Sequence, residues 1–120
     1  MSDAVYSMSR VATGPTLYVA GQVPSTEDGS VPESAAEQTG LVLGKIHAIL
    51  VDHGVDWGAV VKLTYFLRDL GDLAGVREVL RAVIPHPRPA ATLVEVSGLI
   101  DPRFRIEIDA VADLGPHSTG

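Results

Sequence analysis

Cysteine is absent from this chain, which removes disulfides, thiol nucleophiles and thiolate metal ligands together. Basic residues are scarce: nine Lys and Arg stand against fifteen Asp and Glu, for a formal net charge of −6. The seven arginines and two lysines are scattered apart from the short pairs Arg77/Arg81 and Arg103/Arg105. Phosphate neutralisation needs clustered cations, so nucleic acid is not an expected partner. Long hydrophobic runs are missing too. The longest uncharged stretch, Val11 to Thr26, is broken by Gly14, Pro15, Gly21 and Pro24, short of the ~18 apolar residues that cross a bilayer. The N-terminus has no basic segment leading into an apolar one, so no secretion signal or membrane partner is expected and the cytoplasm is the default location.

Several chemistries lack their motifs. His47, His53, His86 and His117 have no ligand neighbours at zinc-like spacing, and no His-Glu-x-x-His occurs, so no metal is expected. Without a Gly-x-Ser-x-Gly elbow, a Gly-x-Gly-x-x-Gly or a phosphate loop, neither triad hydrolysis nor a nucleotide cofactor is indicated.

What is present reads as one domain over residues 1–114, followed by a flexible polar tail over 115–120. Leu17 to Ala20 is a short β-prone run closed by Gly21-Gln22 and Pro24, and Val5 to Val11 is its expected hairpin partner. From Ser34 the apolar period changes: Ala35, Thr39, Val42, Leu43, Ile46, Ile49 and Leu50 mark one helix face. Ser34 and Glu37 form a capping box, and His53-Gly54 supplies the stop. Gly40 and Gly44 are expected to let this helix lie near a sheet. Val60 to Leu67 alternates as a central strand, with Val61, Leu63, Tyr65 and Leu67 on one face. A second helix carries Leu73, Val76, Val79, Leu80 and Val83, capped by Asp69 or Asp72 and ended by Pro85. Thr92 to Val96 and Phe104 to Ala110 close the chain as strands.

The order β-β-α-β-α-β-β implies an α+β fold, with both helices on one face of a mixed sheet. The other face is left bare. Leu63, Tyr65 or their neighbours are expected to line it, and self-association is the physical remedy.

Four stretches together resemble the RidA (YjgF/YER057c/UK114) family: Leu17-Tyr-Val-Ala-Gly-Gln-Val-Pro, the Glu37-Gln-Thr helix start, Val61-Lys-Leu-Thr-Tyr-Phe-Leu with Asp69, and Pro89-Ala-Ala-Thr-Leu-Val-Glu-Val followed by Phe104-Arg-Ile-Glu-Ile-Asp-Ala-Val. The resemblance implies a chorismate-mutase-like fold, a homotrimeric barrel and ligand pockets at the subunit interfaces. It also implies cofactor-free hydrolysis of a small imine, enamine or related carbonyl metabolite. Within it Glu107 takes the water-handling role, although from the residues alone it is a charge on a solvated strand face. Tyr6, Ala20, Gly21, Thr92 and Leu93 fall on substrate-binding positions. So does Ala91, which stands where the family has an arginine that grips the substrate carboxylate. Paired, charge-assisted hydrogen bonds from a guanidinium cannot be supplied by a methyl group. Arg77, in place of a family asparagine, and Arg88, three residues before Ala91, are the candidate substitutes. With Ala20, Ala91 and Leu93 all apolar, the alternative is a non-catalytic protein that binds a small metabolite.

Overall fold

The computed structural model describes residues 4–115. The expected tail lies outside them except for Gly115, whose N–H donates to the Asp113 carboxylate over 2.9 Å. The elements are β1 (Thr16–Gln22), α1 (Ala35–Asp52), β2 (Val60–Leu67), α2 (Leu73–Val83), β3 (Ala90–Glu95) and β4 (Ile106–Asp113), with 3-10 turns at Trp57–Ala59 and Leu70–Asp72. The sheet runs β1-β4-β2-β3, antiparallel except for the parallel β2–β3 pair. Both helices lie on one side of it, so the α+β expectation holds.

Helix α1 starts where the capping box places it. Ser34 Oγ accepts from Glu37 N–H over 3.0 Å, which satisfies one of the orphan donors of the first turn. The helix ends at Gly54, whose φ of +77° is a left-handed conformation that a side chain would strain. Val42, Ile46 and Leu50 are fully buried against the sheet. Burial of side chains of this size stabilises by about 1.5 to 3 kcal/mol each. Gln38, also fully buried, is held by three hydrogen bonds: its amide donates to the carbonyls of Pro32 (2.8 Å) and Arg103 (2.9 Å), and its Oε1 accepts from Arg105 N–H (2.7 Å). This one side chain fixes the entry to β4, two residues before Glu107.

Three expectations are corrected. Residues 5–11 form no strand; a single parallel bridge joins Ser7 to Ala90. The polar Ser-Met-Ser-Arg interior has no apolar face to bury, and Arg10 ties it instead to the carbonyls of Gly58 (3.3 Å) and Pro87 (3.2 Å). The order is therefore β-α-β-α-β-β. Gly40 and Gly44 are exposed, with nothing within 4 Å of a Cβ built on either, so they lie on the outer side of α1 and not toward the sheet. Asp69 caps the 3-10 turn, accepting from Gly71 N–H over 2.8 Å. Asp72 occupies the N-cap of α2 without a side-chain cap bond and pairs with Arg105 at 3.1 Å.

For the bare face, the second of the two expected sets of residues is the one found. Leu63 and Tyr65 point toward the helices and are buried, while Lys62, Thr64 and Phe66 are the residues of β2 that face the open side. The parity was legible, but the side was not, because only the landing of α1 and α2 decides which face is covered.

Candidate functional site

Two groups of the expected site residues come together, on opposite faces of the sheet. Under the helices a cavity of about 260 Å³ opens between α2 and the β2–β3 edge. Its walls are apolar: Val5 from the N-terminal segment, Leu73, Val76 and Leu80 from α2, and Ala91 and Leu93 from β3. Among the described residues, the polar side chains that line it are those of Tyr6, Tyr65 and Arg77. In the β2–β3 register Ala91 lies beside Leu63 and Leu93 beside Tyr65, which sets both on the helix side of the edge strand.

Arg77 sits on the exposed flank of α2, and it also borders a smaller neighbouring cavity with Tyr6 and Arg81. Among the described residues its guanidinium has no hydrogen-bond or ion-pair partner. Arg88 is in the opposite situation. It is buried, and its guanidinium donates to the carbonyls of Ile84 (3.1 Å), Ala4 (3.0 Å) and Arg81 (3.4 Å). It locks the end of α2 to the N-terminal segment and does not line the cavity. Of the two candidate cations, Arg77 alone is at the cavity.

The open face carries the second group. Glu107 lies opposite Phe66 on β2, in a row that continues to Val94 on β3. Among the described residues its carboxylate has no hydrogen-bond or ion-pair partner. A β-bulge in β1 sets Ala20 and Gly21 against Asp109. A Cβ built on Gly21 would lie 2.0 Å from Glu107 Oε2, so the carboxylate occupies the space a side chain would take. Gly21 is thus the floor on which Glu107 rests. Thr92 is on this face too, next to Thr64 and near the other edge.

Tyr65 was not anticipated. It is 5% exposed, it lines the cavity, and its hydroxyl is the only buried side-chain polar atom without a partner among the described residues. Burial pushes the phenol above its usual range, so it stays protonated at neutral pH. A tyrosine in an otherwise aliphatic alternation was the available signal. Those residues show no group of three or more His, Asp or Glu placed to hold a metal, and no helix long and apolar enough to cross a membrane.

A small α+β chain with a cavity under its helices and an unpaired carboxylate on its open sheet face defines a recurrent scaffold. The chain belongs to the YjgF/RidA family: the family profile described as Endoribonuclease L-PSP matches residues 1–114. A RutC family protein of Pyrococcus abyssi is 38% identical over 105 residues, covering 85% of this chain and 81% of that one. Reactive Intermediate Deaminase A of Arabidopsis thaliana is 38% identical over 96 residues, covering 80% and 50%. The crystal structure of RidA from a Psychrobacter species aligns with a TM-score of 0.79 at 31% identity, covering 94% and 91%.

Proposed function

We propose that this chain is a cofactor-free, RidA-like hydrolase acting on a small imine, enamine or related carbonyl metabolite, in a pocket completed between copies of a homotrimer. The observation that carries the reading is the unpaired Arg77 guanidinium at the cavity beside Ala91. A carboxylate that has lost its partner at position 91 finds a donor fork on α2 instead. The cavity and Glu107 lie on opposite faces of one sheet, so the reacting centre requires Glu107 of a second copy over the mouth of the first copy's cavity.

The chemistry follows from these parts. Glu107 takes a proton from water as the oxygen adds to the C=N carbon; the electron pair of the broken π bond goes to nitrogen, to which Glu107 passes that proton. The hydroxyl of the tetrahedral adduct then gives its proton to Glu107 as the C=O forms, the C–N bond breaks, and Glu107 delivers this second proton to the departing nitrogen, which leaves as ammonia. Arg77 holds the substrate acid while this happens.

The test is hydrolysis of imines generated in situ, from 2-aminoacrylate to bulkier analogues, read as release of ammonia. Glu107→Gln is expected to lower the rate by about 10² to 10⁴. If no imine is turned over faster by the parent protein than by this variant, the hydrolase reading fails. The apolar cavity wall favours a second reading, a non-catalytic metabolite-binding protein. Ligand-dependent rises in melting temperature without turnover would support it, and indifference to a metabolite panel would remove it.

A further inference from the structure

Among the described residues the other fully buried side-chain oxygens and nitrogens have partners: Gln38 makes three hydrogen bonds, the Thr39 hydroxyl donates to Ala35 O over 2.7 Å, and Arg88 donates to three carbonyls. The Tyr65 hydroxyl breaks that rule. Its neighbours around the cavity, Val76, Leu80, Ala91 and Leu93, offer it nothing to bond. Phenylalanine would fill the same space without leaving a hydroxyl dry, so the oxygen has no stabilising role in the empty protein. It borders a cavity that is also bordered by the unpaired Arg77. Two unmet polar groups, one buried and one exposed, therefore bracket an apolar space.

We propose that Tyr65 reads the buried end of the ligand: the cavity takes an anion whose acidic group binds Arg77 and whose apolar body ends in a hydrogen-bonding oxygen that meets the Tyr65 hydroxyl. This rests on the reading of the cavity as the ligand site and adds the substrate class. At 260 Å³ the space falls just under the ~300 Å³ at which small-molecule pockets begin, which suits a body about the size of one ring. A 2-imino acid with a hydroxylated aromatic side chain has this shape. Its C=N carbon stays next to the acid, at the mouth, where a second copy's Glu107 can reach. Tyr65 then acts at the far end as a specificity-determining group. A site built to hydrogen-bond a ligand hydroxyl discriminates strongly against the analogue that lacks it, because the buried partner is left unmet.

The probes are two stable 2-oxo acids that differ by one hydroxyl, phenylpyruvate and 4-hydroxyphenylpyruvate, titrated calorimetrically into the assembled protein. The parent protein should bind the hydroxylated acid about tenfold more tightly or better. Tyr65→Phe should abolish that preference while leaving the ligand-free melting temperature unchanged or higher, and Arg77→Gln should weaken both acids alike. The proposal is overturned if Tyr65→Phe keeps the preference, if the ligand-free variant melts several degrees lower, or if neither acid binds at millimolar concentration. Glu107→Gln separates the two readings. Loss of all turnover differences with the preference intact removes only the hydrolase, whereas imine turnover with a preference indifferent to Tyr65 removes only the present proposal.

Discussion

The covered face of the sheet and the open face differ in what they do with polar groups. Under the helices most residues are apolar and buried, the buried polar Gln38 and Thr39 are hydrogen-bonded within the protein, and the polar groups without a partner among the described residues, Tyr65 and Arg77, stand around one cavity. On the open face polar and apolar side chains alternate across the strands: Lys62, Thr64 and Phe66 on β2, Glu107 and Asp109 on β4, Thr92 and Val94 on β3. The covered face is finished as a core and unfinished only where a ligand fits. The open face is unfinished throughout, which is what a surface awaiting another copy of itself looks like. Each face holds half of the proposed site, so one chain alone has both halves and cannot join them.

The largest expected effect comes from setting Ile46→Ala on the covered face against Phe66→Ala on the open one. Ile46 is fully buried, and its truncation should cost about 2 to 5 kcal/mol in chemical denaturation, independent of protein concentration. If the open face is covered by other copies, as proposed, Phe66 should instead show a concentration-dependent loss, because assembly contributes by mass action. If Phe66→Ala costs less than about 0.5 kcal/mol at every concentration, and the parent chain sediments as a monomer, the open face is merely solvated and the contrast fails.

A smaller effect is expected at the floor of the open-face half. Gly21 has no positive φ, so alanine is allowed by the backbone, and the clash falls on the mobile end of Glu107. Gly21→Ala should therefore leave the fold within about 0.5 kcal/mol and yet swing the carboxylate away, lowering kcat by about tenfold or more with little change in KM. Steady-state kinetics with thermal melting would check this. A variant as active as the parent would mean that Glu107 does not work from the position it holds here.

Local pattern carried much of this fold. The alternation of β2 and the capping box of α1 are decided by residues within a few positions of one another, and both elements occur where those signals lie. The N-terminal segment could not be read in the same way, since its partners are the carbonyls of Gly58, Pro87 and Pro89, about eighty residues away for the last two. The site divides along the same line. Arg77 is a candidate through the resemblance, which sets it where the family has an asparagine, and it borders the cavity, but Arg88 near Ala91 in sequence proved to be clamped to Ala4 and Ile84, contacts that no spacing announces. The alternation sorts Tyr65 onto the right strand face but leaves open whether that face or its neighbours' is covered, so its orphan hydroxyl was out of reach.

Strand β4 carries a second contrast, between Glu107 near one end, whose carboxylate has no partner among the described residues, and the bonded Asp113 at the other, and for Asp113 the bonding has a consequence in acid. Asp113 accepts from the N–H groups of Gly115 (2.9 Å), Thr13 (2.8 Å) and Gly14 (3.0 Å), which hold its carboxyl below the usual range. The sign follows from linkage. An unfolded aspartate protonates near pH ~3.9 and this one only at lower pH, so its contribution is whole above the unfolded value and disappears as pH falls through the folded one. Asp28, held down to about 2 by Thr26 and Ser30, adds to the same acid limb, so the informative quantity is the difference between variants. Asp113→Asn should lower the melting temperature at pH 7 and flatten its fall between pH 5 and pH 2. An acid limb as steep in Asp113→Asn as in the parent protein would mean that these three N–H donors do not hold the carboxylate.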